Sequence, residues 1–179
     1  LILRTPRLAR PSLMTKAPLL DPFAVFGVEH RLDLEEHALE RRYLQLSREL
    51  HPDRNRAIGA ADCAAVLLRA AEVNDAWRVL RDPWERARAL SHILAPGILE
   101  QHKSLDPDFL LDAIDLAEQV TLCEPNAVAN LQGRIKQQAD AIFATLQKAF
   151  AAGDHALAAQ QIHQSKYLRK ALADLETRS

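Results

Sequence analysis

The 179-residue chain is predicted to be all-α, a helical hairpin followed by an antiparallel three-helix bundle, on three observations. Hydrophobic residues make up 48%, yet aromatics only 5% and glycines number 5, an alanine- and leucine-rich balance that suits helices far better than sheets. Apolar residues recur three and four apart along most of the chain, the period of an amphipathic helix. Asp-Pro pairs at 21–22, 82–83 and 106–107 combine an N-cap acid with proline at the first helical position, where its missing N–H costs nothing.

The elements follow in order. Asp21-Pro22 opens a short helix through Phe23, Val25 and Phe26, and Gly27 closes it. Asp33, with Glu36 three residues on, has the form of a capping box and starts a second helix. Its stripe is Leu39, Tyr43, Leu46 and Leu50, and Pro52 stops it. After a loop with Asn55 and Gly59, a third helix carries Cys63, Val66, Ala70, Val73, Trp77 and Leu80. Two amphipathic helices on a short loop bury their stripes against each other as an antiparallel hairpin, and Phe23 and Phe26 cover its open side.

Asp82-Pro83-Trp84-Glu85 opens a further helix through Leu90 and Ile93, broken at Ala95-Pro96-Gly97. That break and the polar stretch to 105 form the expected linker, 96–105, between units at 21–95 and 106–179. Asp106-Pro107 opens the next helix, ended by Glu124-Pro125. A long helix follows with Val128, Leu131, Ile135, Ile142, Leu146 and Phe150. Gly153-Asp154 ends it and caps the last, whose stripe includes Ile162, Leu168, Leu172 and Leu175.

Residues 1–20 stand apart. Arg4, Arg7, Arg10 and Lys16 without an acid suit a mitochondrial transit peptide, whereas Pro6, Pro11 and Pro18 interrupt any amphipathic helix and the internal Met14 suits an upstream extension. The leader is expected to be disordered.

Formal net charge is −1, so no global field points to nucleic acid or to an anionic membrane, and neither is an expected partner. No apolar run approaches the ~18 residues of a membrane span. Cys63 and Cys123 are not paired as CxxC, so cysteines do not build a zinc site within the chain. They read as thiols in a reducing compartment. His92, His102, His155 and His163 are scattered without ligand spacing, and no metal or cofactor is expected.

His51-Pro52-Asp53 lies between the second and third helices. Proline fixes the backbone direction while His51 and Asp53 present a donor–acceptor pair and a negative charge at a turn. An acid–base pair needs a nucleophile or metal ligands nearby, and the flanks offer Asn55, arginines and alanines. An Asx-type turn without a partner is the alternative that the tripeptide alone leaves open. Arg41 and Arg48, seven apart, face away from the apolar stripe and, with Arg54, make a basic strip.

With these elements in place, "YLQLSRELHPDRN…AAEVNDAWRVLRDP" resembles the J-domain family over Asp21 to about Leu94. The resemblance implies an N-terminal J-domain helical hairpin. It also implies that His51, Pro52 and Asp53 engage a DnaK-class heat-shock ATPase and promote its ATP hydrolysis, with Arg41, Arg48 and Arg54 meeting an acidic surface on that chaperone.

The first bundle helix narrows the resemblance. Phe109, Ala113, Leu116 and Val120 form its core stripe, while Leu110, Leu111 and Ile114 make a second apolar patch about 90° or more around the cylinder, flanked by Asp115 and Glu118. "DPDFLLDAIDLAEQV" is similar to the C-terminal domain of HscB-type co-chaperones. That likeness implies that Leu110, Leu111, Ile114, Asp115 and Glu118, with Tyr167 of the last helix, contact an IscU-type iron–sulfur cluster scaffold protein. Departures are Arg54, where that branch commonly has lysine, Asp115 for the usual glutamate, and Ala117 at a commonly basic position.

The implied role is a co-chaperone, not an enzyme. It binds the scaffold, delivers it to a DnaK/HscA-type ATPase and promotes cluster transfer. A J-domain adaptor for another client is the alternative. The expected setting is the bacterial cytoplasm, or the mitochondrial matrix if residues 1–20 are a transit peptide.

Overall fold

The computed structural model describes residues 20–51 and 60–177. Every regular element among them is helical: α1 Pro22–Phe26, α2 Glu36–Glu49, α3 Ala60–Arg81, α4 Pro83–Leu94, α5 Ile98–Gln101, α6 Pro107–Thr121, α7 Val128–Ala152 and α8 His155–Glu176, with one 3-10 turn at Pro125–Ala127. Residues 1–19, 178–179 and 52–59, the last with Pro52, Asp53 and Arg54, lie outside the described residues.

The three Asp-Pro signals operate as caps. Asp21, Asp82 and Asp106 each accept two backbone N–H groups that a helix N-terminus leaves unpaired. Gly27 and Gly153 close α1 and α7 at φ of 67° and 71°, the left-handed region that only glycine enters at low cost.

The expected capping box at Asp33 does not form. Helix α2 begins at Glu36, and Glu35 is its cap, accepting from His37 N (2.9 Å) and Ala38 N (2.6 Å). Leu32 is buried and Leu34 packs against the same core, which turns the intervening Asp33 outward. There Arg31 takes its carboxylate through Nε (2.9 Å) and Nη2 (2.6 Å). Burial of the two leucines outweighs a cap worth about 1 kcal/mol.

The hairpin packs as its stripes require. Tyr43 stacks on Trp77 with centroids 4.9 Å apart and donates its hydroxyl to Asn74 Oδ1 (3.1 Å). Phe23 and Phe26 of α1 are buried against α3, and Phe26 also stacks on Trp77, at 6.3 Å. In the bundle, Leu116 and Val120 of α6 meet Leu131 and Ile135 of α7 and Leu168, Ala171 and Leu175 of α8.

The expected linker is not a plain connector. It contains α5, whose Leu99 is buried, and its carbonyl accepts from the ring of His163 on α8 (2.7 Å). Leu146 and Ala149 of α7 and Ala158, Ala159 and Ile162 of α8 enter the same apolar cluster as Leu80, Ala87 and Leu90. The hairpin and the bundle therefore share a core.

Arg169 crosses this seam, with Nη2 on Asp82 Oδ2 (2.8 Å) and Nη1 on Glu85 Oε1 (3.1 Å). Asp82 thus caps α4 with one oxygen and pairs across the seam with the other. Asp82→Ala is expected to cost about 1–2 kcal/mol by loss of both roles, and Asp82→Asn distinctly less because the cap survives. Urea denaturation of the two variants checks this; equal losses would show that the cap contributes nothing.

Candidate functional site

The described residues singled out from the sequence fall on two surfaces, one on α2 and one on α6 and α8. On the first, α2 carries Arg41 and Arg48, both exposed, and leads directly to His51, which is also exposed. Arg41 reaches Glu35 Oε2 at 3.5 Å while 72% of its side chain stays accessible. Arg42, between the two solvent-facing positions, is committed inward, where Nε donates to the carbonyl of Phe26 (3.1 Å) and ties α2 to α1. The seven-residue spacing of Arg41 and Arg48 is what keeps both out of the core.

Rigidity behind that surface comes from the Tyr43–Trp77 stack and the buried Leu39 and Leu46, so α2 presents its arginines from a fixed helix. The geometry offers a directional basic face.

On the second surface, α6 rests on α8 through Phe109, whose ring meets the edge of Tyr167 at 5.8 Å. Leu111 is 61% exposed and Ile114 64%, with Asp115 and Glu118 exposed beside them and Tyr167 at 42%. Leu110 differs from Leu111 and Ile114 in being half-buried. Large apolar side chains grouped on one exposed helix face are the mark of an interaction surface.

Sequence reasoning missed Leu122, which is 70% exposed at the end of α6. It follows Leu111, Ile114 and Glu118 at spacings of three, four and four, a helical stripe that could have revealed it. Around Asp115 the stripe opens into a groove of about 530 Å³ between α6 and α7, lined by Phe109, Leu116 and Ile142 with Asp112, Asp115 and Arg134. Among the described residues no group of three or more histidine, cysteine or acidic side chains could hold a metal ion, and no helix is long and apolar enough to cross a membrane.

A helical hairpin whose first long helix carries exposed arginines and ends at the His51-Pro52-Asp53 sequence defines the class of J-domain proteins. Residues 21–89 match the DnaJ domain family, and residues 105–176 match the HscB C-terminal oligomerisation domain family. The chain belongs to the HscB co-chaperone family.

It is 30% identical over 157 residues to the co-chaperone protein HscB homolog of Neisseria meningitidis serogroup C, covering 83% of this chain and 92% of that one. The Haemophilus influenzae homolog is 28% identical, with 88% and 94% covered. Among solved structures, chaperone HscB from Vibrio cholerae superposes with a TM-score of 0.78 at 26% identity, over 88% of this chain and 96% of that one. Human co-chaperone protein HscB gives a TM-score of 0.80 at 20% identity, over 98% and 91%, a likeness of fold.

Proposed function

We propose that this chain captures an IscU-type iron–sulfur cluster scaffold protein on α6 and delivers it to a DnaK/HscA-type heat-shock ATPase in the bacterial cytoplasm. There it stimulates ATP hydrolysis and promotes cluster transfer to acceptor proteins. The observation that carries this reading is the exposed Leu111–Ile114 stripe, rimmed by Asp115 and Glu118, on a chain whose other unit bears His51-Pro52-Asp53. An apolar centre with a charged rim is the distribution of a protein-binding hot spot.

The working units in this reading are the J-domain at 21–95, the connector at 96–105 and the scaffold-binding bundle at 106–179. Leu110, Leu111, Ile114, Asp115, Glu118 and Tyr167 contact the scaffold. His51, Pro52 and Asp53 engage the ATPase, and Arg41, Arg48 and Arg54 steer the encounter through a complementary acidic surface. Holding both partners on one platform raises the effective concentration of each for the other. The chain contributes binding and orientation, while the hydrolysis belongs to the chaperone.

The test is steady-state ATP turnover of a matched DnaK-class chaperone with this chain, with the scaffold, and with both. Synergy that needs both proteins and disappears in His51→Gln is the expected result. Stimulation indifferent to the scaffold would assign the bundle to another client, and no stimulation at all would overturn the proposal.

A further inference from the structure

The groove beside α6 continues past Asp115. A second opening, of about 650 Å³, is lined by Leu122, Cys123, Ala127 and Leu131, and it shares Asp115, Gln119 and Arg134 with the first. The two make one trench between α6 and α7, to which α8 contributes Gln164 and Leu168. On α7, Ala127, Asn130, Arg134, Gln138 and Ala141 recur three and four apart, so one helix face lines it.

Helix geometry sets this trench against the exposed stripe. At 100° per residue, Asp115 lies within about 40° of both Leu111 and Leu122 around α6. Gln119 and Asp112 lie about 40° and 60° beyond it, toward the core positions Leu116 and Phe109. A protein seated on Leu111, Ile114 and Leu122 therefore has the trench along one edge of its contact.

Charge there is uneven. Helix α6 supplies Asp112, Asp115 and Glu118, all exposed, and α7 supplies Arg134, also exposed and the one basic side chain lining either opening. Among the described residues, none of these four enters an ion pair. The acids alone would draw any basic surface to α6. A cation set among them penalises such a surface and favours one that brings an acid to that point. A guanidinium also offers donors in a planar fork that matches a carboxylate at both oxygens.

We propose that Arg134 is a specificity-determining residue of the scaffold-binding face: it takes a carboxylate of the scaffold protein, an aspartate or glutamate side chain seated in the trench beside an apolar one. The inference rests on the reading of α6 as the scaffold site. Phe109, Leu116 and Ile142 receive the apolar neighbour, while Asp115 and Glu118 meet cations of the same partner. The mixed pattern fixes register. A partner displaced by one helical turn, about 5.4 Å, brings its acid toward Asp112 or Glu118 instead of Arg134.

Isothermal titration of the full chain against an IscU-type scaffold protein compares the wild type with Arg134→Gln, Arg134→Lys and Ile114→Asp. Arg134 is exposed and unpaired among the described residues, so unfolding temperatures equal to that of the wild type are expected and separate a lost contact from a folding defect. Arg134→Gln is expected to weaken binding about tenfold, and Arg134→Lys less, since the charge survives without the fork. The sign decides. If the scaffold brings no acid to Arg134, removing the cation leaves α6 more acidic, and binding to a basic partner stays the same or tightens. Unchanged or tighter binding in Arg134→Gln, with Ile114→Asp still disruptive, overturns this proposal and leaves α6 as the scaffold site. A wild type that does not bind the scaffold overturns both.

Discussion

Ile114→Asp is expected to weaken capture of the scaffold protein by at least about 100-fold while leaving the fold intact. Ile114 is 64% exposed, so its side chain contributes little to the free protein. In the proposed complex it is covered, and burying an isoleucine is worth about 1.5–3 kcal/mol. An aspartate in its place adds the desolvation of a carboxylate, beside Asp115 and Glu118, without a partner. Isothermal titration against the scaffold measures the affinity, and thermal unfolding by circular dichroism provides the control. Stimulation of the chaperone in the absence of scaffold should be unchanged, because the basic face of α2 lies on the other unit. Unaltered affinity would remove α6 from the interface and with it the central step of the proposed delivery.

The second large effect is on stability. Arg86 is 5% exposed and spans three segments: Nε donates to the carbonyl of Leu80 at the end of α3 (2.7 Å) and Nη1 to that of Leu32 before α2 (2.8 Å). Burial pulls its guanidinium below the usual range, and Glu36 and Asp82 push it back up. Arg86→Met keeps much of the volume but takes the guanidinium donor from the Leu80 carbonyl, at about 1–3 kcal/mol, and leaves the Leu32 carbonyl with the Leu34 N–H alone. A loss of about 2–5 kcal/mol in urea denaturation is expected, a large fraction of the stability of a domain of this size. Arg86→Lys should restore little, since one ammonium cannot reproduce two donors in a planar fork. A loss under about 1 kcal/mol would show that water enters the site and replaces the donors.

These predictions separate what was visible along the chain from what was not. Helix starts at Asp21, Asp82 and Asp106 were legible because capping is a local contest settled within three residues. The cap of α2 was misplaced at Asp33, since the burial of Leu32 and Leu34 depends on helices distant in sequence. Leu111 and Ile114 were placed on an outward face by the 100° step of the helix alone. The half-burial of Leu110 is a matter of tertiary packing, which the helical step alone does not decide.

Composition, periodicity and capping chemistry thus dictate that the chain is helical, where most helices begin, and which faces are apolar. They also display the His51-Pro52-Asp53 loop, because a tripeptide between two amphipathic helices is a local feature. The joining of the two units is of another kind. Ala158 and Ala159 look unremarkable in sequence, yet both are fully buried in the cluster that also holds Leu80, Ala87, Leu90 and Leu99. Arg169 and His163 read as ordinary polar residues until Asp82, Glu85 and Leu99 arrive from more than 60 positions away. Such contacts are set by how two apolar surfaces fit together, and no local pattern encodes the partner that a polar side chain meets once they close.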